Sequence, residues 1–320
     1  TDVEPEFGYV NALAINGLSW PYTEPLKMDV GVKERWRVVN ASDRVHPMHL
    51  HGFFYSVLSR GTAEADTVYT PADERLVVTE TMRPRSTMLM EWTPTRPGRW
   101  LFHCHLSFHV TAENRLPGAV EADPEHAHSH MAGLVMGIEV APGPTDLISE
   151  GELGSLDLFV REYGDEKGYR YGFSLDPASW PSRDEEAPGP LLVFNQYQTV
   201  DVSVFNQMSI PTGVHWHGLE LDSWADGVPN WSASDGRMSP VIAPGGAFTY
   251  RLSMMRPGTF IYHSHLADVF QLSGGLYGPL IVLPPGESFD DEHDHVMAFG
   301  WRTDEPQSLQ DFDLHGGTQQ

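Results

Sequence analysis

The chain has 320 residues, room for two packed domains, and its 40% hydrophobic and 20% charged content is that of a globular protein. Its 20 basic and 44 acidic side chains leave a net charge of −24, which argues against nucleic acid and anionic membrane as partners. No apolar run approaches the roughly 18 residues of a membrane span, and one cysteine allows no intramolecular disulfide. The acidic composition fits a soluble extracytoplasmic protein, periplasmic or secreted, or a salt-tolerant one. No signal peptide is visible before Thr1, as expected of a processed or trimmed N-terminus.

In chain order, "ERWRVVN" (34–40), "STMLMEW" (86–92), "TVDVSVFN" (199–206) and "AFTYRLS" (247–253) alternate apolar and polar residues. Period two predicts half-buried strands, and turns rich in Pro, Gly, Asn and Asp separate them. No long stretch of period 3.6 competes. The chain also repeats itself. "GVKERWRVVNASDRVHPMHLHG" (31–52) matches "NQYQTVDVSVFNQMSIPTGVHWHG" (195–218), "RPGRWLFHCHLSFH" (96–109) matches "RPGTFIYHSHLADVF" (256–270), and "GLVMGIEVAPG" (133–143) matches "GLYGPLIVLPPG" (275–286). The expected fold is all-β, with two antiparallel β-sandwich domains at 1–145 and 146–300 and a polar tail at 301–320. The boundary falls in "APGPTDLISEGELGS" (141–155), where Pro, Gly and acidic residues cluster.

Ten of the sixteen histidines fall in four motifs: "HPMHLHG" (46–52), "HCHLSFH" (103–109), "HWHG" (215–218) and "HSH" (263–265). Residues i and i+2 of a strand share a face. Each H-x-H therefore presents two imidazoles together: His49 with His51, His103 with His105, His215 with His217, and His263 with His265. Eight converging imidazoles call for a multinuclear metal cluster, and copper, zinc, iron and nickel all suit the ligand type. Cys104 lies between His103 and His105, so its sulfur faces the other way. It belongs to a second site, for which His46 and His109 are the nearest unassigned histidines. Two histidines and a cysteine form the blue-copper pattern. The peptide through Cys104 would link the two sites as a path for electrons.

These motifs resemble those of the multicopper oxidases, the laccase-like enzymes built from cupredoxin domains, over essentially both repeats. The resemblance implies Greek-key cupredoxin sandwiches and four coppers per chain. It implies a type 1 site at His46, Cys104 and His109, and type 2 ligands His49 and His215. The paired type 3 coppers would take His51, His103, His105, His217, His263 and His265. It also implies one-electron oxidation of a small reducing substrate, phenols or aromatic amines by default, coupled to reduction of dioxygen to water. Electrons would arrive through His109 and pass through Cys104. Asp226, nine residues after His217, matches the family's proton-supplying acid. Ser107 stands where the family often has a second acid, and Asp222 and Asp268 are the nearest alternatives.

Asn114 occupies the usual place of the axial ligand. Aligning the repeats across an insertion at 110–130 offers Met131 instead. Within that insertion His126, His128 and His130 read as part of a solvated loop, as does "DEHDH" (291–295). The cysteine motif comes first in the chain, which resembles two-domain oxidases whose trinuclear cluster forms between the subunits of a homotrimer. The other reading of that order is a piece of a longer protein. Three rival functions follow. One is a metallo-oxidase for cuprous or ferrous ions. Another is a copper nitrite reductase, which has no use for the type 3 histidines. The third is a blue-copper electron-transfer protein, which needs no pairs in the second repeat.

Overall fold

The computed structural model describes residues 12–62, 64–111, 131–143, 153–165, 168–178, 189–290 and 292–299. Among these, the first half of the chain forms β1 (Leu26–Asp29), β2 (Glu34–Asn40), β3 (His46–Leu50), β4 (Tyr55–Gly61), β5 (Asp66–Val68), β6 (Arg75–Val77), β7 (Thr79–Met82), β8 (Ser86–Trp92), β9 (Gly98–Cys104) and β10 (Val135–Ala141). One sheet runs β1-β10-β9-β3-β7; the other runs β2-β8-β4-β5, with β6 beside β4. The second half forms β11 (Leu153–Asp165), β12 (Gly168–Ser174), β13 (Leu192–Asn195), β14 (Thr199–Asn206), β15 (Val214–His217), β16 (Ala233–Ser234), β17 (Arg237–Met238), β18 (Ala247–Ser253), β19 (Gly258–Ser264) and β20 (Tyr277–Leu283). Its sheets run β12-β11-β14-β18 and β13-β20-β19-β15, and β16 pairs with β17 as a small hairpin. One short helix, α1 (Asp268–Ser273), follows β19.

The period-two segments are strands because one face of each is buried. Alternate positions of β8 and β18 point into a core while their neighbours face water. Leu50, Tyr55, Val57, Met90, Trp100 and Ile138 fill the first sandwich; Leu158, Val202, Val204, Trp216, Tyr250 and Tyr262 fill the second. Each such side chain contributes about 1.5–3 kcal/mol by leaving water. The expected all-β fold is what forms.

The repeat is visible in register. In the first half His49 on β3 pairs with His103 on β9; in the second His215 on β15 pairs with His263 on β19. One loop of the second half lies on the first. Ser223 Oγ donates to the Arg99 carbonyl at 2.6 Å and accepts from the Arg99 amide at 3.1 Å. Trp231 Nε1 donates to the Trp100 carbonyl at 3.0 Å, and Val228 is buried in the first core. Gly98 makes the close approach possible: its φ is +131°, and a Cβ there would lie 2.4 Å from Ser223 Cβ.

Candidate metal centre

The loop carrying Ser223 to Ser232 brings the ends of β15 and β19 against those of β3 and β9. All eight H-x-H imidazoles meet there. His49 stacks on His217 with ring centroids 3.8 Å apart, and His51 on His215 at 4.1 Å. His103 lies 5.7 Å from His105, His105 5.3 Å from His263, and His103 5.6 Å from His265. Six of the eight are buried; His105 and His217 are nearly so. The Ser223–Ser232 loop of the second half docks on the first sandwich, and the eight imidazoles come in equal numbers from the two halves.

Hydrogen bonds fix which nitrogen faces inward. Nδ1 of His49 donates to the Val78 carbonyl at 2.8 Å, and that of His103 to the Cys104 carbonyl at 2.8 Å. Nδ1 of His215 donates to the Asp226 carbonyl at 2.6 Å, and that of His263 to the Ser264 carbonyl at 2.7 Å. Nδ1 of His51 donates to Asp226 Oδ2 at 2.8 Å. All these acceptors lack a proton, so in these five neutral rings the lone pair sits on Nε2. Nε2 of His49, His215 and His263 is buried without a partner. His51 Nε2 and His103 Nε2 lie 2.9 Å apart, two lone pairs with no proton between them. His217 is turned over. Its Nε2 lies 3.3 Å from Thr79 Oγ1, and its Nδ1 is the unpartnered atom.

Buried lone pairs this close repel unless a cation lies among them. Protons are a poor choice: burial first, and neighbouring histidines second, hold His49 and His51 well below the usual histidine range. Burial lowers His103 and His263 to about 4. A soft or borderline metal ion fits this donor set.

The same shifts predict acid sensitivity. In the unfolded chain these imidazoles protonate near 6.5, whereas the folded state resists protonation down to about 4 for His103 and His263. Their folded values are depressed, so the metal-free protein keeps full stability above pH 6.5 and loses it as pH falls. The slope reaches about 1.4 kcal/mol per pH unit for each imidazole. Burial raises Asp226, which has the opposite sign, but it is one group against eight. Urea midpoints of metal-free protein should drop steeply between pH 6.5 and 4; a flat profile would contradict the buried neutral cluster.

Asp226 is buried against the cluster. Its Oδ2 accepts from His51 Nδ1 and, at 3.1 Å, from Ser232 Oγ; its Oδ1 lies 3.5 Å from His215 Nδ1. Asp226 thus orients one imidazole from each half, His51 through its carboxylate and His215 through its backbone carbonyl. Gly227 lets the loop turn at this point, with φ +94°. A Cβ there would lie 1.8 Å from the Val214 carbonyl oxygen. Gly227→Ala is expected to destabilise the protein by about 4 kcal/mol or more and to lower metal retention together with thermal stability. Unchanged thermal unfolding would refute that reading of the loop.

On the other face of β9, Cys104 Sγ lies 3.5 Å from His109 Nδ1 and 3.7 Å from His46 Nδ1, and the two nitrogens are 3.1 Å apart. All three residues are buried. His46 Nε2 meets Ser42 Oγ at 2.7 Å, leaving Nδ1 for the site. Burial pushes the Cys104 thiol up to about 12, so a bound cation is needed to hold it as thiolate. Burial also lowers His109 to about 4.

Met131 is half-buried against the first core, and the next residue, Ala132, donates its amide to the Val110 carbonyl at 2.9 Å. The chain therefore returns beside His109 at that point. His109 itself is only 4% exposed, and its Nε2 is buried without a partner. The neighbouring Phe108, packed edge-on at 4.7 Å, is 55% exposed. Asp222, half-buried at the start of the Ser223–Ser232 loop, belongs to none of the close donor groups among the described residues, and Asp268 begins α1. Asn114, His126, His128, His130 and the tail lie outside the described residues. Sequence reasoning missed Thr79, Ser42 and Ser232. Each acts through one hydroxyl and sits in no spaced motif.

Comparison with known proteins identifies a family. Two family models, each described as multicopper oxidase, match residues 3–125 and 177–287. Copper resistance protein A of Pseudomonas syringae pv. tomato is 38% identical over 125 residues, which is 38% of this chain and 19% of that protein. Laccase-2 of Cryptococcus neoformans var. grubii is 37% identical over 130 residues, 38% of this chain and 20% of that protein. The match thus spans about a fifth of the length of these curated relatives. A blue copper oxidase from Nitrosomonas europaea of known structure is 27% identical, with TM-score 0.34, over 43% of this chain and 41% of its own. Motifs at matching places in both halves, buried donor sets that fit copper, and a family match in each half make this chain a member of the multicopper oxidase family.

Proposed function

We propose that this chain is a laccase-like oxidase coupling one-electron oxidation of phenols or aromatic amines to four-electron reduction of dioxygen to water. The observation that carries this reading is the convergence of eight imidazoles from both halves, six of them buried, one peptide away from a separate His–Cys–His set. In this reading His46, Cys104 and His109, together with Met131, would hold a type 1 copper. His49 and His215 hold the type 2 copper. His51, His103, His105, His217, His263 and His265 hold the type 3 pair, giving four coppers per chain in all. Copper, when bound, supplies the one-electron redox steps and the affinity for dioxygen.

The side chains do the rest. Cys104 is joined by one peptide bond to each of His103 and His105, and its carbonyl accepts from His103 Nδ1, so covalent and hydrogen-bonded paths both connect the two donor sets. Asp226 orients His51 through its carboxylate and His215 through its backbone carbonyl, and that buried carboxylate is the group placed beside them to relay protons. His109 is covered, so electrons from substrate reach it by way of its neighbour, the exposed Phe108.

An oxygen electrode tests the reading. Copper-loaded protein should consume oxygen with a methoxyphenol or a phenylenediamine, and with no accumulation of peroxide. A second reading, oxidation of cuprous ions, is favoured by the relative named copper resistance protein A. Oxygen uptake driven by cuprous ions and not by phenols would favour it. Nitrite reduction without oxygen uptake would overturn both.

Three further assignments belong to this proposal. The domains are 1–145 and 146–300. The location is extracytoplasmic; among the described residues, no helix is long and apolar enough to cross a membrane. The motif order leads us to a homotrimer, in which the trinuclear site forms between the first domain of one copy and the second domain of the next. Light scattering should give three times 35.7 kDa; a mass of 35.7 kDa would overturn the trimer.

A further inference from the structure

The second sandwich carries no cysteine, yet the place of the first sandwich's His–Cys–His set can be located there by backbone hydrogen bonds alone. Cys104 N donates to the Leu134 carbonyl, and Ser264 N to the Leu276 carbonyl, both at 3.0 Å. His105 N donates to the Pro47 carbonyl, next to His46; His265 N donates to the Gly213 carbonyl, next to Thr212. Leu134 N donates to the His109 carbonyl, and Leu276 N to the Gln271 carbonyl. Thr212, Ser264 and Gln271 therefore stand where His46, Cys104 and His109 stand.

These three residues are buried and bonded to one another. Gln271 Oε1 accepts from Thr212 Oγ1 at 2.8 Å and from Ser264 Oγ at 2.6 Å. Gln271 Nε2 donates to the Pro211 carbonyl at 2.8 Å. Thr212 and Ser264 are fully buried, and Gln271 is 1% exposed. The trio ties β19 and α1 to the segment that enters β15, as a metal joined to three ligands would tie the matching segments of the first sandwich. A sequence comparison of the repeats pairs Cys104 with Ser264, but α1 hides the third partner. Gln271 follows Ser264 by seven residues, whereas His109 follows Cys104 by five.

The lock bears directly on the cluster. Ser264 lies between His263 and His265, and its carbonyl accepts from His263 Nδ1 at 2.7 Å, as the Cys104 carbonyl does from His103. Thr212 is three residues before His215. The trio thus fixes the backbone that aims three inward imidazoles of the second half. We propose that Gln271, with Thr212 and Ser264, is a metal-free counterpart of the type 1 site, and that Gln271 is a positioning residue for the copper cluster. The first half orders its pair of imidazoles with help from its own metal. The second half does so with three neutral side chains, and its imidazoles are therefore preset before any metal binds.

This inference rests on the proposed cluster, and the test separates the two. Gln271→Leu removes the acceptor of two buried hydroxyls and should cost 10- to 100-fold in copper affinity at the cluster, the range for residues that orient ligands. Gln271→Glu keeps both acceptor contacts and, only as the neutral acid, the donor to the Pro211 carbonyl, so it should restore binding where that carboxyl is protonated. Thr212→Val removes one hydrogen bond and should give an intermediate loss, which keeps the question answerable if Gln271→Leu fails to fold. The readouts are copper per chain, the visible thiolate-to-copper absorption of the first sandwich, and the paramagnetic resonance of the type 2 copper. The expected result is an unchanged visible band with reduced or altered cluster copper in Gln271→Leu and Thr212→Val. Full copper and an unaltered resonance in both variants would overturn the positioning role. A wild-type chain that takes up only the copper of the visible band would overturn the cluster itself.

Discussion

Cys104→Ser is expected to abolish the visible charge-transfer absorption and reduce turnover with every substrate to background, while the eight-imidazole cluster still takes up copper. The argument is one of faces. Cys104 Sγ points to His46 and His109, whereas the flanking His103 and His105 point to the cluster. A serine at 104 leaves β9 and its backbone contacts intact, since the Cys104 carbonyl, not its sulfur, holds His103. The second sandwich shows that the strand tolerates the change, with Ser264 at the matching place. What is lost is the only thiolate, hence the strong visible band, and the ligand that couples the two sites. Copper content with and without the substitution, read beside oxygen uptake, checks it. Retained turnover with phenols would break the proposed link between the sites.

Asp226→Asn is the second large effect. The wild-type carboxylate accepts from His51 and Ser232, and its carbonyl accepts from His215. An amide at that place presents a donor to one of these groups. A buried donor facing a donor leaves both unsatisfied, at about 1–3 kcal/mol each. Residues that orient metal ligands are worth about 10- to 100-fold in affinity or activity. If Asp226 also delivers protons, turnover should fall further than copper retention, and its dependence on pH should change. Asp226→Glu should recover the charge and part of the turnover. Equal losses of copper and turnover, with an unchanged pH profile, would leave Asp226 a purely orienting group.

Much of this was legible in the sequence because strand geometry is simple. Period two places His49 with His51 and Cys104 opposite its neighbours, whatever the tertiary detail. The repeat did the same for the second half, aligning His215 and His263 with His49 and His103. What the sequence did not reveal depends on contacts between distant segments. The inward nitrogen of His49 is set by the Val78 carbonyl and that of His217 by Thr79, both on or beside a strand without a motif. The meeting of the two halves within one chain depends on Ser223, Val228 and Trp231 finding places on the first sandwich. The burial of His109 and the exposure of Phe108 follow from packing that no spacing encodes. Gln271 escaped for a related reason, because a short helix shifts it by two residues from the position the repeat predicts.

The central claim is that two donor sets in one chain together hold a full complement of copper. Elemental analysis of copper per chain after complete loading tests it most directly. The account predicts four, with one removed by Cys104→Ser and the rest retained. One or two coppers per wild-type chain would contradict it, and would mean that the eight imidazoles do not act as one metal site.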